Sequence, residues 1–93
     1  MTLNEVSASY FPLLGASATL GRTFLPEEDA VPDRNRVAVI SHALWRARFG
    51  ASPDVLQKIV QLNDRPFAIV GVMPERFAGA SFDTDVWVPA AMV

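Results

Sequence analysis

The chain has no cysteine, one lysine and one histidine, and it contains no apolar run approaching the ~20 residues that a membrane-spanning helix needs. Without cysteine there are no disulfides, no thiol nucleophile and no cysteine-ligated zinc or iron-sulfur centre. A single histidine, His42, rules out the paired-histidine metal motifs. Neither a phosphate loop nor a dinucleotide-binding glycine fingerprint occurs, so no nucleotide-hydrolysing motif is recognisable. Seven arginines and one lysine are scattered and outweighed by ten acids, for a net charge of −2, which opposes a phosphate-binding face and therefore nucleic acid. No repeat of solenoid length and no low-complexity tract is present. The first ten residues, MTLNEVSASY, lack the basic start and apolar centre of a signal peptide, so the chain reads as soluble.

What is present is apolar. Ninety-three residues make one small domain or subdomain, and 51% hydrophobic content is more than a free-standing domain of that size requires, which points to a neighbour. The organising stretch is KIVQLNDRPFAIVGV, Lys58 to Val72, where two β-branched runs flank a polar Asn-Asp-Arg turn followed by proline. Asn63 and Asp64 tolerate the positive φ of a tight turn, so the stretch predicts a β-hairpin. Val60, Leu62, Phe67 and Ile69 give it one apolar face. Ile59, Ala68 and Val70 give it a second, and cover on both sides is expected.

Upstream, Val6 to Gly15 predicts a short helix closed by Gly15, with Tyr10, Phe11, Leu13 and Leu14 as its packing face. Capping by Ser9 rather than Ser7 keeps Pro12 in the first turn, where its missing N–H matters least. Leu20 to Leu25 suits a short extended segment, and PEEDAVPDRNR (26–36) a surface loop. Arg36 to Ile40 is apolar enough for an interior strand, Ser41 is placed to cap a helix over His42 to Phe49, and Gly50 to end it. Ser52 as cap, Pro53 in the first turn and Asp54 as an early acid start a further short turn through Val55 and Leu56. Asp85 to Pro89 predicts a last strand with Trp87 opposite Val86 and Val88, after a loop over 79–84; Phe77 is expected to plug a gap.

Few residues invite chemistry. Glu27, Glu28 and Asp29 are consecutive carboxylates, which do not converge on one cation without calcium-loop spacing. Ser41 and His42 are adjacent at a helix start, point in different directions, and lack a nucleophile elbow and an orienting acid. Tyr10 reads as a packed aromatic with its hydroxyl at the surface. No catalytic, cofactor-binding or metal-ligating residue is therefore assigned.

The run VAVISHALWRARFG, then a hairpin ending IVGVMPERF, then DVWVP, with VSASYFPLLGASATLGRTFLPEED upstream, resembles the periplasmic core domain of MacB/FtsX-like ABC transporter permeases. The resemblance covers most of the chain in unbroken order. Pro12 departs from the usual non-proline residue and is expected to shorten the first helix. Glycines common in that family near Gln57 and at Asp64 are absent, which leaves a looser three-residue hairpin loop as the alternative to a tight turn. The resemblance implies a non-enzymatic extracytoplasmic domain at the periplasmic face of the cytoplasmic membrane, coupling ATP-driven movements to export or to a periplasmic partner. Its implied partners are the rest of the parent permease, a second permease subunit, an ATPase domain or subunit on the cytoplasmic side, and an adaptor or substrate outside; the membrane helices are expected outside this chain. The competing reading is a small cytosolic hydrolase or ligand-binding module, which requires a polar pocket uniting His42 with two or more acids.

The expected fold is α+β: a small mixed, largely antiparallel sheet of about four strands with the hairpin at its centre and two or three short helices. Val39, Leu44, Trp45, Phe49, Val60, Leu62, Phe67, Ile69 and Trp87 are expected to form one core cluster. Ile59, Ala68, Val70, Val86, Val88 and the tail AAMV (90–93) are the residues expected to leave apolar surface for a neighbour.

Overall fold

The computed structural model describes residues 3–6, 9–24, 36–62, 64–75 and 85–89. In chain order the described elements are β1 (Leu3–Val6), α1 (Tyr10–Leu13), β2 (Leu20–Gly21), β3 (Val37–Ile40), α2 (His42–Phe49), a 3-10 turn (Pro53–Gln57), β4 (Ile59–Leu62), β5 (Arg65–Val72) and β6 (Val86–Pro89). The α+β class with a mixed, mostly antiparallel sheet is as the sequence predicts. The described sheet has six strands rather than about four.

The sheet is built on β5. Its first half pairs antiparallel with β4, from Ile59↔Ala68 to Leu62↔Arg65. Its last two residues pair antiparallel with β2, Leu20↔Val72 and Gly21↔Gly71. Its other edge runs parallel to β3, with a register shift between Ala38 and Val39. Beyond β3 the order continues with β6, antiparallel, and β1, parallel to β6. The hairpin is therefore not central as a pair: β5 is, whereas among the described residues β4 bonds only to β5 and lies off the main path.

The Leu62↔Arg65 pairing leaves two residues in the hairpin connection, so the loop is the tight one, not the three-residue alternative. Asp64 takes φ +65° in place of the glycine common in the resembled family. A short polar side chain tolerates that conformation better than most.

Alternation along the interior strands divides the core in two, because successive side chains point to opposite faces. Ala38 and Ile40 of β3 and Val86 and Val88 of β6 join Leu62, Phe67, Ile69 and Val72 on one face, beneath Leu44 of α2 and Val55 of the 3-10 turn; Trp45, Phe49 and Val60 are partly buried against them. Val37, Val39 and Trp87 face the other way and pack with Val6, Phe11, Phe24 and Met73. The single cluster expected from sequence is thus two, with Val39 and Trp87, paired across β3 and β6, on the opposite side from the rest. Phe11 anchors the second layer edge-on to Trp87 at 5.7 Å between ring centroids and tilted against Phe24 at 5.8 Å.

The helix ends follow local chemistry. Ser41 Oγ accepts from Leu44 N at 3.1 Å, and Gly50 closes α2 in the left-handed region at φ +60°. Trp45 Nε1 donates to the Ser52 carbonyl at 2.8 Å, tying the end of α2 to the turn that follows. Helix α1 follows Ser9, with Pro12 inside a single turn. Only Phe11 of its apolar residues is fully buried; Leu13 and Leu14 are 81% and 51% exposed, contrary to the packing face expected of them. One turn carries one inward residue and sends its neighbours outward. Strand β1 was not anticipated, since LNEV is short and weakly alternating, and parallel pairing with β6 is what holds it.

Leu25, residues 26–35, Asn63, Phe77, residues 79–84 and the tail over 90–93 lie outside the described residues.

Candidate functional site

Among the described residues, those that invited chemistry do not come together. His42 is half-buried with its ring edge-on to Trp45, centroids 5.4 Å apart, while its neighbour Ser41 uses its hydroxyl oxygen to cap the helix. Tyr10 is half-buried and T-stacked on Phe11 at 5.2 Å. Glu27, Glu28 and Asp29 lie outside the described residues. Among the described residues no group of three or more His, Asp or Glu side chains is arranged to hold a metal ion. A shallow depression of about 300 Å³ is lined by Ala43, Leu44, Ala47, Arg48 and Asp85; it carries one acid, one base and no histidine, so it is not the pocket the hydrolase reading requires.

One carboxylate is perturbed. The Ser52 hydroxyl donates to Asp54 Oδ1 instead of capping the 3-10 turn as expected. That hydrogen bond, with smaller help from the Asp54 backbone and Lys58, holds the Asp54 carboxyl below the usual carboxylate range. Asp54 is exposed in the first turn, where negative charge suits the helical dipole. This is a turn-stabilising arrangement.

The described surface instead offers apolar side chains. On the second face of the hairpin the cross-strand pair Ile59↔Ala68 is exposed, Ile59 to 61%, and Pro66 beside it is exposed too. Cover on both sides is therefore not achieved within the described chain: β5 projects past the start of β3, whose first residue pairs with Ala68, and the aromatic layer under α1 stops at Val37 and Val70. The other residues expected to be left open behave differently. Val86 and Val88 are fully buried because α2 covers that side, and Val70 is half-buried. Leu13 and Leu14 form a second apolar projection that periodicity alone had assigned to the core. No helix among the described residues is long and apolar enough to cross a membrane.

Comparison with known proteins places this arrangement. The family described as MacB-like periplasmic core domain matches residues 1–93. The macrolide export ATP-binding/permease protein MacB of Shigella dysenteriae is 30% identical over 88 residues, and that of Burkholderia cenocepacia is 31% identical over 89 residues. These matches cover 92% and 94% of this chain but only 13% of each relative, so the chain spans about an eighth of their length. Among solved structures, the periplasmic region of MacB from Actinobacillus actinomycetemcomitans superposes with a TM-score of 0.77 at 25% identity, covering 98% of this chain and 38% of that one. The extracellular domain of the noncanonic ABC-type transporter YknZ from Gram-positive bacteria gives 0.74 at 25% identity, covering 95% and 42%.

Proposed function

The chain belongs to the MacB-like periplasmic core domain family, as a periplasmic part of an ABC transporter permease, and we propose that it works there as a non-catalytic relay. In this reading ATP hydrolysed on the cytoplasmic side moves the membrane helices, and the domain carries that movement to an exported substrate or an extracytoplasmic partner. The observation that carries the reading is the family match over residues 1–93. The fold supports it physically. Strands β3 and β6 are buried on both faces between two apolar layers, and close-packed cores of this kind transmit displacement rather than absorb it. Its partners are then the remainder of the permease, a second permease subunit, the ATPase, and an adaptor or cargo outside.

The test uses the full-length parent permease reconstituted with its ATPase. Replacing residues 36–89 with a flexible Gly/Ser linker is expected to leave ATP hydrolysis in place and abolish export. Export at the wild-type rate from that variant overturns the relay.

A further inference from the structure

We draw no further inference here: the strongest candidate, the apolar surface projection of Leu13 and Leu14 at the end of α1, is two side chains at the end of a single helical turn, and nothing in the structure shows what covers it.

Discussion

Gly21 and Gly71 face each other across the β2–β5 pairing, and neither position has room for a side chain. A Cβ at Gly21 would meet the Val70 carbonyl oxygen, and one at Gly71 the Arg22 carbonyl oxygen. Gly21 also sits at φ +69°, which L-residues with side chains rarely adopt. The pairing fastens the segment behind α1 to the central strand: Arg22 N donates to Val70 O at 2.9 Å and Thr19 N to Val72 O at 2.7 Å. Phe24, three residues on from Gly21, thereby reaches the layer that holds Phe11 and Trp87.

Substituting Gly71→Ala should therefore destabilise the chain by ~1–3 kcal/mol, since backbone on a paired strand has to shift to admit a methyl group. Gly50→Ala, where a Cβ meets nothing within 4 Å, should lose only the left-handed preference of a helix C-cap, about 1 kcal/mol. Urea denaturation compares the two; equal midpoint shifts would argue against a close β2–β5 crossing.

The two-layer core sets an order among aromatic truncations. Phe67 and Trp87 are almost fully buried on opposite faces, and each should lose ~3–5 kcal/mol on replacement by alanine, close to the whole stability of a domain this small. Trp45 is only partly buried against the first layer, so Trp45→Ala should cost less than either despite its size. A Trp45→Ala midpoint at or below that of Phe67→Ala would reverse this ordering and imply a deeper α2 interface.

Asp54 gives a pH prediction. Its carboxyl is held low, first by the Ser52 hydroxyl, so any stability it adds is present above the unfolded carboxyl's pKa and is lost as pH falls through the lower, folded value. Nuclear magnetic resonance titration of the Asp54 carboxyl should place its midpoint below the ordinary aspartate range, and Ser52→Ala should move it upward. An Asp54 titration insensitive to Ser52→Ala would remove the hydroxyl as the cause.

Where the sequence was legible, strong local chemistry agreed with long-range packing. The Asn-Asp turn between β-branched runs located β4 and β5, Ser41 and Gly50 bracketed α2, and the alternation around Trp87 located β6. Strand β1 was hidden because four residues gain order only from β6, a partner about 80 positions away. The expectation of one core failed because periodicity tells which residues share a face of their own strand, not whether the sheet is packed on one side or both; Val39 and Trp87 are the residues that show the difference. The exposed hairpin face was partly legible: Ile59 and Ala68 were rightly suspected, whereas Val86 and Val88 were not recognised as lying beneath α2.

The most direct test of the relay is whether the domain moves as one body when nucleotide turns over. In the reconstituted full-length permease, spin labels at Ala47→Cys report the distance between permease copies, and an Ala47→Cys/Gln61→Cys pair in chains diluted with unlabelled copies reports the distance within one domain. The account predicts that trapping the ATP-bound and ADP-bound states shifts the distribution between copies and leaves the one within the domain unchanged. An inter-copy distance indifferent to nucleotide, or a change confined to the Ala47–Gln61 distance, would contradict it.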